Sequence, residues 1–301
     1  MPTTLDLDAL KVREVSFGSV LSAVAKRIGM VIEQNELEEG TALQLAEHMS
    51  AAYRYAWQIH DWPEAMEYVA AEPSLEPTFG QKVIPFDATF NTVYQVWDSH
   101  PIFNRDAQEI PWTLGDGRGI YLPADAPGSV VYIYRREPVE FTLEEWSVSA
   151  SYLVGDVVLG ADGWHYRALY DIPASPSEKN PGASVEWRDG RTLPNATYVV
   201  WNRQLYLTRQ EFVATASKGP AGDDNTDYIF TSPQWERLGL LKVLAEATKA
   251  GAVSLYQAGD GQLTSAQIMA GAMNARLEDE IMLIHRQWNG SGFTKRVKRT
   301  N

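Results

Sequence analysis

Residues 151–187 read SYLVGDVVLGADGWHYRALYDIPASPSEKNPGASVEW, and this stretch decides the fold. Tyr152 opens it, Gly155-Asp156 turns into Val157-Val158, Trp164-His165-Tyr166 ends a second strand, and a Pro-bearing loop leads to Trp187. The frame returns in Tyr198, Val199-Val200, Leu205-Tyr206 and Trp235. Internal repetition of this kind marks modules. Residues 147–191 and 192–237 are therefore expected to form two small tandem aromatic β modules. As a contiguous insertion between helical chain ends, they are expected to be peripheral to the rest.

Toward the N-terminus, Leu21, Val24, Ala25 and Ile28 share one face of a helix over 17–33. Thr41 begins a second helix striped by Leu45, Met49, Ala52, Ala56 and Ile59. Asp61 suits an N-cap and Pro63 a first helical turn, which predicts a third short helix over 63–71 and makes 1–79 the N-terminal helical part. Residues 80–146 read as an antiparallel β region. Phe90, Thr92, Tyr94 and Val96 alternate with Val93, Gln95 and Trp97, Gly115–Gly119 turns, and Val130–Tyr134 forms another strand.

Beyond the modules, residues 238–290 form a helical hairpin. Its first segment runs from Leu238 to Ala258 and stops at Gly259-Asp260-Gly261. Thr264-Ser265-Ala266-Gln267 matches a capping box and starts a helix reaching about Trp288, with Ile268, Ala272, Ala275, Ile281, Ile284 and Trp288 as much of its apolar stripe. Neither chain end covers its own apolar stripe, so the two are expected to pack as one bundle. The fold class is thus α+β: a helical bundle from the N- and C-terminal segments, a central antiparallel β region, and tandem aromatic β modules. Residues 291–301 remain as a basic tail.

The chain of 301 residues is 45% hydrophobic and 22% charged, and it contains no cysteine. Disulfides and thiolate metal sites are therefore excluded. MPTTLDLDAL places acids where a secretory leader needs a basic start and an apolar run, so no leader is expected, nor is a membrane partner. The net charge of −13 opposes general nucleic-acid affinity, which needs clustered cations. Lys295, Arg296, Lys298 and Arg299 are the exception, and no acid follows Glu280. They read either as a solvated end or as a docking tail, with Phe293 and Val297 as apolar anchors.

Catalytic patterns are missing from the sequence. Neither Gly182-Ala183-Ser184-Val185-Glu186 nor Gly290-Ser291-Gly292 makes a nucleophile elbow, and no Gly loop is followed by Lys-Ser/Thr ahead of a helix. His48, His60, His100, His165 and His285 are dispersed without zinc-ligand spacing. Asp223-Asp224-Asn225-Thr226-Asp227 resembles a calcium loop, but Tyr228 and Gln234 stand where glycine and glutamate belong. It reads as a polar turn. No catalytic residue, cofactor site or metal site is assigned, and the chain reads as non-enzymatic.

Two family resemblances follow from these residues. Tyr152, Gly155-Asp156-Val157-Val158, Trp164, Tyr166, Pro176 and Trp187 resemble the small aromatic carbohydrate-binding modules found beside chitinases and cellulases. The second copy keeps Tyr198, Tyr206, Pro220 and Trp235 but lacks Gly-Asp. The resemblance implies that Trp164, Tyr166, Trp187, Tyr206 and Trp235 either stack on sugar rings or form the core of a unit too small to fold without them.

The second resemblance spans most of the chain. Tyr53-Arg54-Tyr55-Ala56-Trp57, Asp61-Trp62-Pro63-Glu64, Gly155-Asp156 and Gly259-Asp260-Gly261-Gln262 occur in the order seen in head-to-tail adaptor (neck or connector) proteins of tailed bacteriophages. That resemblance implies a structural virion protein in the phage neck, assembled in the host cytoplasm as a homo-oligomeric ring of twelve copies. Its implied partners are the portal protein above, tail or nozzle proteins below, and viral DNA that passes without specific binding. Phe293, Lys295, Arg296, Lys298 and Arg299 become the candidate portal contact. Such a ring would carry a formal charge of about −156, which repels phosphate and lets DNA slide. The alternative expectation is a carbohydrate-binding virion or secreted protein.

Overall fold

Strand β1 (Glu14–Val15) leads directly into helix α1 (Phe17–Arg27). Ser16 caps α1, its Oγ accepting the Ser19 amide at 3.3 Å. At the other end Gly29 adopts φ +84°, and the Met30 amide reaches back to the Ala25 carbonyl at 3.0 Å, closing the helix as glycine allows. Helix α2 (Glu39–Ile59) follows. In this computed structural model the residues described are 14–30, 39–76, 80–85, 90–101, 104, 106–115, 119–174, 179–201, 203–215 and 230–290. The chain divides into two compact units, Trp57–Pro138 on one side and Met1–Ala56 with Val139–Asn301 on the other.

In the unit Trp57–Pro138, the helix expected over 63–71 is replaced by a 3₁₀ turn, Pro63–Ala65, and a strand, β2 (Met66–Ala71). A helix of nine residues is marginal by itself. As a strand, Met66–Ala71 instead pairs at six positions with Val130–Arg136, and Glu67 gains the Arg136 guanidinium at 3.1 Å and the Tyr134 hydroxyl at 2.5 Å. The part taken as helical through residue 79 therefore ends its helices at Ile59.

The unit continues through β3 (Ser74–Glu76), β4 (Gln81–Pro85), β5 (Phe90–Trp97), β6 (Thr113–Gly115), β7 (Gly119–Leu122) and β8 (Val130–Arg136). They form a three-stranded sheet in the order β2-β8-β5 and a four-stranded sheet in the order β3-β4-β7-β6, antiparallel throughout. Val96, Ile120, Leu122 and Val130 are among the residues that fill their shared core.

The aromatic stretch supplies β9 (Val157–Leu159), β10 (His165–Ala168), β11 (Val185–Glu186), β12 (Thr192–Leu193), β13 (Tyr198–Trp201), β14 (Gln204–Leu207), β15 (Phe212–Val213) and β16 (Trp235–Leu238). The two frames share one six-stranded sheet, in the order β11-β13-β14-β16-β10-β9. Strand β16, which closes the second frame, lies between β14 of that frame and β10 of the first. Only the first closing tryptophan has crossed over. Trp235 packs with Tyr152, Val158 and Tyr166 of the first frame and with Tyr198, Val200 and Leu205 of its own, whereas Trp187 packs with Leu193, Val199, Phe212 and Phe230.

After Gly239 the chain forms β17 (Leu240–Leu241), paired antiparallel with β1, then α3 (Lys242–Gly259) and α4 (Leu263–Gly290). The helix expected from Leu238 starts four residues later, because Leu238 pairs with His165 and Leu240-Leu241 pair with Val15 and Glu14. Helix α3 forms the centre of the bundle, with Leu244, Ala247, Ala250 and Val253 buried. It packs with α1 and runs antiparallel to α4 across the Asp260–Gln262 turn. Its Gly251 marks the tightest point. A methyl there would come within 2.8 Å of Ala52 Cβ on α2 and 2.5 Å of Met273 Sδ on α4. The N- and C-terminal helices thus form one bundle, and the fold is α+β.

Candidate functional site

The aromatics singled out by the sequence divide by burial. Tyr166 and Trp235 are fully buried and Trp187 nearly so, which makes them core. The Tyr166 hydroxyl donates to Asp162 at 2.7 Å, and burial pushes both the phenol and that carboxyl up in pKa. Trp164 is half-buried under the Arg237 guanidinium, 4.5 Å from its ring centroid. Tyr206 is half-buried, and its hydroxyl donates to Gln204 at 2.7 Å. The indole of Trp187 is enclosed by Trp201, Phe212 and Phe230, with centroids 5.8, 6.2 and 6.2 Å away. The three buried rings therefore present no open face to a ligand.

The residues around them join the aromatic sheet to the helices. The Gly18 amide at the start of α1 donates to the Gly163 carbonyl at 3.0 Å, with no side chain on either residue to hold the backbones apart. Phe17 stacks on Phe141 at 4.9 Å and meets the His165 ring edge-on at 4.8 Å. Tyr53 approaches Phe141 at 5.4 Å and accepts the Leu241 amide at 3.2 Å. His165 Nε2 lies 2.8 Å from the Thr142 carbonyl and 3.1 Å from its amide. Desolvation lowers the His165 pKa to about 4 against the opposing pull of the Thr142 hydrogen bond, so the ring is neutral. Arg203 bridges Glu14 of β1 and Glu236 of β16, at 3.6 Å each. The sheet is bolted to the bundle rather than peripheral to it.

Two concavities lie elsewhere in this unit. One is a cleft of about 370 Å³ lined by Tyr170, Asp171, Ile172, Thr231, Ser232 and Gln234. Asp171 Oδ1 accepts the Val154 amide at 2.9 Å, Gln234 Oε1 accepts the Tyr198 hydroxyl at 2.5 Å, and Tyr170 is 54% exposed. The other is a groove of about 400 Å³ along the outer face of α2, bounded across it by Glu140–Leu143. Neither concavity was legible in the sequence. Tyr170 falls outside the repeated frame, and the groove needs residues 140–143 brought beside a helix some ninety positions earlier.

The remaining candidates are dispersed. His48 and His100 both have pKa values lowered by burial, and His100 stacks on Tyr68 at 5.0 Å. Among the described residues, no group of three or more His, Asp or Glu could hold a metal ion, and no helix is long and apolar enough to cross a membrane. The Asp223–Asp227 turn and the tail residues Phe293, Lys295, Arg296, Lys298 and Arg299 lie outside the described residues. No family model matches the chain, and no curated protein is significantly similar to it.

Proposed function

We propose that this protein is a structural virion component, a head-to-tail adaptor that assembles as a ring beneath a phage portal, joins it to the tail and lines the DNA channel. The observation that carries the reading is the closure of both chain ends into one bundle, with all the larger β sheets strung between them. This succession of elements is the one on which the adaptor resemblance rests. The acidic net charge of −13 per copy supports it, since a channel must repel the phosphates it conducts. The basic tail then serves as the portal contact. The test is to mix the full chain with its portal protein and follow mass by light scattering and particle shape by negative-stain microscopy. Rings that co-assemble with the portal are expected. A monomer indifferent to the portal would overturn the reading.

A second reading is favoured by one observation, the cleft beside Tyr170. An exposed aromatic ring next to a carboxylate, an amide and two hydroxyl side chains suits a saccharide, whose C–H face stacks while its hydroxyls bond. Retention on chitin or host polysaccharide that is lost in Tyr170→Ala would support it over the adaptor reading.

A further inference from the structure

Helix α4 buries one seam and exposes another. Ala266, Met273, Leu277 and Ile284 face the bundle. On the opposite side Thr264, Ile268, Gly271 and Ala275 recur at four- and three-residue steps, Met282 follows two turns later, and all are exposed. Ile268 is 66% exposed and Met282 50%. A surface helix usually carries charge on that side, yet between Thr264 and Met282 that charge comes from Asp279 and, at the edge of the face, Glu278. The spacing is that of a seam packed against another helix.

The groove on α2 is its counterpart. Leu43, Ala46 and Ala51 form its helical wall and floor beside Glu47 and Ser50, and Phe141, Thr142 and Leu143 form the far side. Arg54 stands at its rim, half exposed and holding Glu140 at 2.9 Å. Along α4, Asp279 follows Ile268 by eleven residues; along α2, Arg54 follows Leu43 by the same eleven. At 1.5 Å per residue both intervals measure about 16 Å. An apolar knob and an acid on one helix thus match an apolar wall and a guanidinium on the other, provided the helices run parallel.

Within the chain they do run parallel. Gln44 and Ala52 of α2 approach Gly259 and Gly251 of α3 in reverse order, so α2 is antiparallel to α3. Helix α4 is antiparallel to α3 as well, across its short turn. Rotation about an axis along the bundle preserves helix direction, so α4 of one copy meets α2 of the next in the parallel sense that the spacing requires. We infer that the Ile268–Met282 face of α4 docks in the Leu43–Arg54 groove of a second copy of this chain, a head-to-tail contact with Asp279 against the neighbour's Arg54. Ridge and groove are different surfaces, so each copy that donates a ridge leaves its own groove free, and repetition about a rotation that closes makes a ring.

The inference rests on the adaptor reading for the ring, and its test separates the two. The chain has no native cysteine, so cross-links report only introduced pairs. Full-length Ala51→Cys and Ala275→Cys variants, both at exposed positions, are mixed and oxidised, alongside each variant alone and the double variant. A covalent dimer from the mixture and a ladder of higher multimers from the double variant are expected, with little product from either single variant. Circular dichroism of each variant checks its helix content. Rings without a ladder would move the contact elsewhere and leave the adaptor reading standing. Self-cross-linking of Ala275→Cys alone would replace the head-to-tail contact with a symmetric one. Absence of rings, with or without portal, would overturn both.

Discussion

The indole of Trp235, which closes the second aromatic frame, meets the ring of Tyr152, which opens the first, at 5.4 Å and nearly edge-on. That pair joins two repeats into one cooperative sheet, because Trp235 packs against residues of both frames while Trp187 has left the first for the second.

Trp235→Ala should cost about 3–5 kcal/mol, the usual range for deleting a fully buried large aromatic. Both clusters should be lost in one transition, since β16 holds β10 and β14 together. Urea unfolding followed by tryptophan fluorescence and by amide exchange tests this. Two separated transitions would mean that the frames fold independently.

Gly163→Ala should destabilise the joint between sheet and bundle by about 1–3 kcal/mol, as overpacking does. The new methyl would sit 3.2 Å from Gly18 Cα, at a position whose φ of +78° already disfavours a side chain. A helix-weighted thermal melt is the readout. If residues 147–237 were peripheral, the helical signal would melt at an unchanged temperature.

His165 makes stability depend on pH in a definite direction. Its folded pKa of about 4 lies below the ordinary 6.5, so between those values the unfolded chain binds the extra proton. Stability is complete above about pH 6.5 and falls as pH drops, by roughly 3 kcal/mol once pH is below 4. His165→Phe keeps the aromatic contact with Phe17 and should flatten this component of the profile. Parallel pH slopes for the two proteins between pH 5 and 6.5 would assign acid sensitivity to other groups.

Deleting residues 291–301 removes four cations and no acid. Under the adaptor reading the deletion should weaken portal binding, and the intact protein should bind less tightly as salt rises, since exposed charge pairs are screened. Equal portal affinity for both forms across a salt series would leave the tail without a docking role.

Periodicity revealed what depends on neighbours in sequence. The stripe of α2 and the strand character of residues 90–97 could be read directly, because their apolar spacing is a local property. The stripe of α4 could not, because Ile268, Ala272 and Ala275 are exposed while Ala266, Met273 and Leu277 face the bundle. What depended on pairing was hidden. Met66–Ala71 carries residues acceptable in either state, and only the register with Val130–Arg136 selects the strand. The placement of Trp187 in the second cluster and of Trp235 between both frames depends on strand order, which no spacing within one frame encodes. The aromatic core residues were visible by type, whereas the cleft at Tyr170 and the groove on α2 arise from segments far apart in the chain.

The pairing of Glu14-Val15 with Leu241-Leu240 has a consequence on the ribosome. The strand that clasps β1 is made more than two hundred residues later, which at 5–20 residues per second is a wait of roughly 10–45 s. Throughout it, Phe17, Val20, Val24 and Tyr53 belong to a nascent chain whose covering helix α3 does not yet exist. Trp57–Pro138, whose strands pair among themselves, emerges during that interval with its own partners already made. Synthesis order therefore leaves the first helices waiting longest for their bundle partner and most in need of a chaperone.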